Sequence, residues 1–287
     1  MKLKNVNRAL YALGGFALIG LLALLIMKTR AVDFDAHNRI VATLRDLKQV
    51  DAEWNVEVLR AKTGLATNYD RVASPLPLVN SLEAALRGQA GAFWESRESS
   101  KVRVMPLLDD YRQAMDRKIA AIEQFTSQNA ILRNSSRFLP VAATDLVEAT
   151  RASAIAAEQK LQLEQALHHL LAQALTYSMA PDQPLRERID LAAQSVRQLT
   201  VDAPTEVRER AQTLMAHVVK VQQQQEIGSQ LLAELGALPT AKSIDALSDA
   251  HLQEHEGLLT EQQAYRQALI GYAAFLLLLL GLAAWRL

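Results

Sequence analysis

The sequence predicts an all-α protein: an elongated antiparallel helical bundle of about six long passes plus a short crossover helix, flanked by two transmembrane helices. Three observations predict it. Uncharged apolar stretches occupy the two ends, Ala9 to Met27 and Ala268 to Trp285, each close to the roughly 20 residues a helix needs to cross about 30 Å of hydrocarbon. Between them apolar residues recur at threes and fours, with no convincing alternating run of the kind a strand needs. Prolines separate the helix-length segments, because proline disfavours helix in the residue before it.

In order, residues 1–8 form a short N-terminus, 9–27 a first span, 28–267 a single helical domain, 268–285 a second span, and 286–287 the start of whatever follows. Lys2, Lys4 and Arg8 precede the first span and Arg286 follows the second, which by the positive-inside rule places both outer ends in the cytoplasm. Lys28 and Arg30 also flank the first span, but Asp33 and Asp35 come directly after them. No small-x-small cleavage site follows, so the first span is expected to be an uncleaved anchor and not a signal peptide. The domain between the spans then lies on the far side of the membrane from the cytoplasm.

The first helix of that domain is expected from Phe34 to Ala66, continuing straight out of the membrane. Ile40, Leu44, Leu47, Val50, Trp54, Val58, Ala61 and Leu65 make its apolar stripe, and the turn Asn68-Tyr69-Asp70 with Pro75 and Pro77 ends it. Further helices are expected at Pro77–Glu95, Val102–Arg137, Val141–Ser178, Leu185–Leu199, Thr205–Leu235, and Ser243 into the second span. Ser96 to Ser100, Pro140, Pro181 with Pro184, Asp202 to Pro204, and Gly236 with Pro239 mark the breaks. Both ends of the domain lie at the membrane, so full-length passes must be even in number. Leu185–Leu199, much the shortest, is therefore assigned as the crossover.

Heptad seams support a bundle. Leu163, Leu167, Leu170, Ala174 and Tyr177 repeat at fours and threes, as do Val207, Ala211, Leu214, Val218, Val221, Gln225, Gly228, Leu232 and Leu235. Gln225 interrupts an otherwise apolar seam. If the hairpin turns near Leu238, it falls opposite His251 on the stripe Ile244, Leu247, His251, Glu254, Leu258. A polar core layer of Gln225 and His251 follows, either selecting register or forming a hydrated, proton-responsive layer.

Composition narrows the function. Residues 1–30 hold five basic and no acidic groups; with Arg286 set aside as well, 25 basic residues face 31 acidic ones in the domain, a net charge of minus six. Such a surface lacks the positive footprint that nucleic acid demands. With no cysteine there is neither disulfide nor thiolate chemistry. His251-Leu-Gln-Glu254-His255 matches the H-x-x-E-H spacing of inverted zinc peptidases, but the chain enters the membrane too soon afterwards to supply a further ligand from a second element. His168 and His169 fall on a heptad helix as surface residues. No phosphate loop, nucleophile elbow or carboxylate pair stands out; neither an enzyme, a cofactor nor a metal site is expected.

Two polar segments are richer than turns require: Arg60 to Asp70, with Asn68 and Tyr69, and Asn129 to Pro140, with Arg133 and Asn134. In a six-pass bundle both turn at the membrane-distal end and should meet there. The stretches VEVLRAKTGLATNYDRVASPL and IEQFTSQNAILRNSSRFLP resemble the two signature segments of the DAHL family, double all-α-helical extracytoplasmic sensory domains held between two membrane helices, as in bacterial sensor histidine kinases. The motifs cover residues 52 to 140; the remainder is similar in architecture.

The resemblance implies a domain that receives an extracytoplasmic stimulus, either a small molecule or a binding-protein partner, and passes it across the bilayer. Arg60, Asn68, Tyr69, Asp70, Asn129, Arg133 and Asn134 would line the recognition site, guanidinium forks suiting carboxylates; alternatively they cap helices and tie the tips together. A homodimer is expected from the resemblance, with Gly14, Gly15 and Gly20 suited to close helix contact. Family members continue into a cytoplasmic output module, which here would lie beyond Leu287 or on another polypeptide. A helical scaffold or accessory subunit of a membrane complex is the alternative to sensing.

Overall fold

The structure, a computed structural model, describes residues 2–29, 33–65, 68–94 and 98–286. Among these there are helices and no strands: α1 (Lys2–Thr29), α2 (Phe34–Lys62), the single turn α3 (Asp70–Ala73), α4 (Pro75–Phe93), α5 (Glu98–Arg103), α6 (Met105–Ala152), α7 (Ala157–Met179), α8 (Gln183–Thr200), α9 (Thr205–Ala237) and α10 (Thr240–Arg286). The fold is all-α, as the periodicity predicts. Ala66, Glu95, Ser96 and Arg30, named above at helix ends or span flanks, lie outside the described residues.

The chain forms two compact units, one of Met1–Gln49, Asn80–Tyr111 and Ala241–Leu287, the other of Val50–Val79 and Arg112–Thr240. In the first, Ile40, Leu44 and Leu47 of α2 are buried, as are Leu86 of α4, Tyr111 of α6, and Ile244, Leu247 and Leu258 of α10. Helices α1 and α10 pair in antiparallel fashion. The Tyr272 hydroxyl donates to the Leu18 carbonyl at 2.8 Å, Gln262 Nε2 donates to the Thr29 carbonyl at 2.7 Å, and Lys28 Nζ lies 5.8 Å from the Tyr265 ring centroid. Two helical stretches are long and apolar enough to cross a membrane, and little of either apolar window is buried inside the protein.

The second unit is centred on α7, α8 and α9. Leu163, Leu167, Leu170, Ala174 and Tyr177 are all buried against Ile189, Val196, Val207, Leu214 and Val218, so the heptad seams are core. Helix α8, expected as the short crossover, packs in the same core as α7 and α9. It buries Leu185, Ile189, Ala192, Ala193 and Val196 as one face and starts at Asp182, whose side chain accepts from the Leu185 amide at 2.6 Å, with Pro184 in the first turn where its missing N–H costs nothing.

Helix α6 runs straight through Pro140, where a break was expected. Proline in a helix interior costs about 3 kcal/mol, but Leu132, Leu139 and Leu146 recur at sevens across it and all are buried. Their burial, at roughly 2 kcal/mol each, outweighs the local penalty, and the exposed Pro140 ring sits on the outer face. The helix ends instead at Ala152, before a link without proline or glycine. There Lys160 Nζ donates to the Arg151 and Ser153 carbonyls at 2.8 and 2.7 Å, capping orphan acceptors.

Helix α2 starts at Phe34 as expected, with Asp33 Oδ1 accepting from the Ala36 amide at 2.8 Å, an N-cap; its connection to α1 lies outside the described residues. Its C-terminus is set by Gly64, whose φ of 75° is the left-handed stop that glycine alone takes without strain. Leu65 therefore falls beyond the helix and is exposed. At the other end of the protein, α10 is unbroken from Thr240 to Arg286, joining the domain to its second apolar segment in one helix.

Candidate functional site

The two polar segments do meet, although the second is mid-helix and not a turn. Asn129, buried on α6, donates through Nδ2 to the Ala61 carbonyl in the last turn of α2 and to the Tyr69 hydroxyl, both at 3.1 Å. Both amide hydrogens are thereby used. One turn further on, the Arg133 guanidinium lies 5.6 Å from the Tyr69 ring centroid, within cation–π range. The remaining candidates stand around this knot. Asn68 Nδ2 donates to Asp70 Oδ2 at 2.6 Å, both exposed; Asn134 is exposed on α6.

Arg60 pairs with Glu57 at 2.6 Å and borders a shallow cavity of about 490 Å³ with Glu53, Val56, Arg71 and Ser74. The arrangement can present a guanidinium and carboxylates to a small polar molecule. Nearby, the Trp54 indole donates to the Val72 carbonyl at 2.7 Å, fixing α3 against α2. Periodicity gave no sign of a larger groove, about 800 Å³, whose walls from α8 and α9 carry Arg197, Arg208 and Lys220 over Met215 and Val219.

Gln225 and His251, expected to share one layer, take their partners from other helices. Gln225 accepts from Lys62 Nζ of α2 and donates to the Tyr177 and Ser178 carbonyls at 3.2 and 2.8 Å, satisfying acceptors left open at the end of α7. Burial pushes the Lys62 ammonium below its usual range.

His251 is fully buried in the first unit. The Trp94 indole donates to its Nδ1 at 3.1 Å. Since indole is only a donor, that nitrogen holds the lone pair, and the neutral ring carries its hydrogen on Nε2. That hydrogen points to His37 Nδ1 of α2, 3.0 Å away. His255, one turn along α10, stacks on His37 with centroids 3.6 Å apart and planes at 12°, and its Nδ1 is buried without a hydrogen-bond partner. Phe34 and Phe93 close the stack edge-on.

Burial lowers all three imidazoles. His251 falls to about 4, pushed further by the charges of His37 and His255; His37 falls through burial alone, and His255 through burial and then His37, with Glu256 opposing. The H-x-x-E-H spacing does put His251, Glu254 and His255 on one buried face, but Glu254 accepts from Ser100 at 3.0 Å and pairs with Arg103 at 3.2 Å. His37 and Trp94 carry no motif of their own in the sequence. The available signal was register: His37 stands three residues before Ile40, on the same stripe.

No curated protein matches the sequence. Residues 32–266 match the DAHL domain, a helical sensory family and not a catalytic one. That match takes in α2 through the domain part of α10, and with it the Tyr69–Asn129 knot and the histidine stack; the chain belongs to the DAHL domain family.

Proposed function

We propose that this chain is a membrane-anchored bacterial sensor domain, which detects an extracytoplasmic stimulus and relays it across the inner membrane by displacement of helices. The observation that carries the relay is α10, one helix from the buried domain face at Ile244 to the apolar segment that ends at Trp285. Its antiparallel pairing with α1 through Tyr272 and Gln262 supplies a two-helix unit of the length a bilayer requires. A small sliding of packed helices suffices to carry a signal when two discrete arrangements exist.

In this reading the lipid bilayer holds α1 and α10, the N-terminus is cytoplasmic and the domain periplasmic. A homodimer supplies the partner for the open face of α1, where a Cβ on Gly15 or Gly20 would touch nothing in the chain. The cavity beside Arg60 is the recognition site for a small molecule or a binding protein, with the Tyr69–Asn129–Arg133 knot as its support. An output module acts in cis or in trans.

The test is a disulfide between Thr29→Cys and Gln262→Cys, feasible in a chain without native cysteine. Locking the pair should fix output in one state in the native host, and reduction should restore the response. Unchanged output under oxidation would remove the relay.

A further inference from the structure

The His37, His251 and His255 stack joins the helix that opens the domain to the helix that leaves it, and it does so with neutral rings only. The Trp94 donor fixes the His251 tautomer, so the bond within the stack is an N–H···N hydrogen bond from His251 Nε2 to His37 Nδ1; further along the two helices, the exposed Lys48–Asp245 pair at 2.6 Å also ties α2 to α10. The histidine bond lasts only while His37 Nδ1 keeps its lone pair. His255 then lies flat on the His37 ring at 3.6 Å, a separation tolerable between neutral rings and repulsive between charged ones.

A metal ion does not account for the stack. A bound metal lies along the in-plane lone pair of each imidazole, and the nearly parallel planes of His37 and His255 cannot converge on one point about 2 Å from both. His251 Nε2, already carrying hydrogen, is no ligand either. Among the described residues no group of His, Asp and Glu is disposed to hold a metal.

We propose that this stack is a proton-operated latch between α2 and α10, and that acidification of the extracytoplasmic medium is a stimulus of the domain. The second half rests on the sensor reading above; the first does not. The proton comes from the medium and is taken up at a ring lone pair. The Nδ1 of His255 is buried without a hydrogen-bond partner, and a proton taken up by His255 puts a charge into a desolvated layer. A second proton, on His37 Nδ1, removes the acceptor of the His251 hydrogen bond and sets two like charges on rings 3.6 Å apart, which repel.

Among the described residues, the carboxylates of α10 beside the stack are engaged elsewhere or exposed. Glu254 of α10 is engaged by Ser100 and Arg103 of α5, and Arg103 adds positive charge of its own. Glu256 favours the charged form of His255 but lies on the exposed side of α10. Phe93 at the end of α4 and Trp94 just after it face His251 as an apolar ring and a donor. The charge is relieved when the rings separate and take water, which loosens α2 from α10. All three groups titrating below their ordinary value sets the latch closed at neutral pH and open in acid.

The experiment uses the full chain in lipid nanodiscs with spin labels on Asn38→Cys and Gln253→Cys, both exposed and flanking the stack. The inter-label distance is measured from pH 8 to pH 4. A reversible lengthening of a few ångströms that is lost in a His37→Asn, His255→Gln variant is expected. A constant distance, or the same transition in that variant, would overturn the latch. Should the variant lose helicity, NMR titration of the unsubstituted chain decides: three imidazoles titrating below 6.5 support the latch, and values at or above 6.5 sink it. A moving distance with no acid-dependent output in the native host keeps the latch and rejects acid as the stimulus. A fixed distance beside an intact response to some other ligand rejects the latch and keeps the sensor.

Discussion

Lys118 Nζ lies 2.6 Å from Asp51 Oδ1 and also reaches the Asp51 carbonyl at 3.2 Å, with 1% and 2% of the two side chains exposed. Burial lowers the Lys118 ammonium, and the Asp51 hydrogen bond and charge oppose that shift. Taking both ions out of water costs most of what their attraction returns, whereas removing one partner strands the other. Lys118→Ala should destabilise by about 3–5 kcal/mol, and Lys118→Met with Asp51→Leu should sit close to the parent. Urea unfolding followed by circular dichroism measures both, and an equally damaged double variant would show that the pair itself is required.

Pro140→Ala separates a helix interior from a turn. In an unbroken α6, alanine restores an amide donor and removes the ring clash, so stability should rise, by about 1 kcal/mol or more. A loss of stability would place a proline-dependent bend at that point.

Gly64→Ala acts in the opposite sense. At a φ of 75° any Cβ is strained, although no neighbour would touch it, and the expected cost is about 1 kcal/mol. Thermal melts compare it with Gly88→Ala. Gly88 lies inside α4, where a Cβ also meets nothing within 4 Å, and alanine should stabilise.

Asn129→Ala removes two hydrogen bonds and leaves the Ala61 carbonyl with the longer bond from the Gly64 amide at 3.4 Å, a cost of about 1–3 kcal/mol. Arg60→Ala, half-exposed and paired on the surface, should change stability by less than about 1 kcal/mol while reducing any ligand response. Loss of folding with Arg60→Ala would make that residue a structural tie and not a recognition group.

The pH dependence of stability has a definite sign. His251 titrates near 6.5 in the unfolded chain and at about 4 when folded, so between those values the unfolded chain binds more protons. The contribution of the buried stack is complete above pH 6.5 and is lost as pH falls toward 4, to the extent of about 3 kcal/mol for His251. Melting temperatures of the full chain should fall over that window, and His251→Gln should flatten the slope.

Much of this was legible because burial and periodicity coincide. Leu163 to Tyr177 and Ile244 to Leu258 are buried residue for residue as their spacing predicts, and the two signature segments do come together at Tyr69 and Asn129. Local propensity misled where packing overrode it. Pro140 announces a break that three buried leucines cancel, while the true break at Ser153 carries no breaker residue. His37 and His251 stand 214 residues apart, and only three dimensions could reveal that one donates to the other; spacing within α10 showed a motif and hid its partner.

Helix α10 runs without interruption past His251 to Tyr272, roughly 30 Å at 1.5 Å per residue. A continuous shaft of that kind delivers torque along its whole length, so a twist begun among the histidines is felt beside Leu18, whose carbonyl Tyr272 holds.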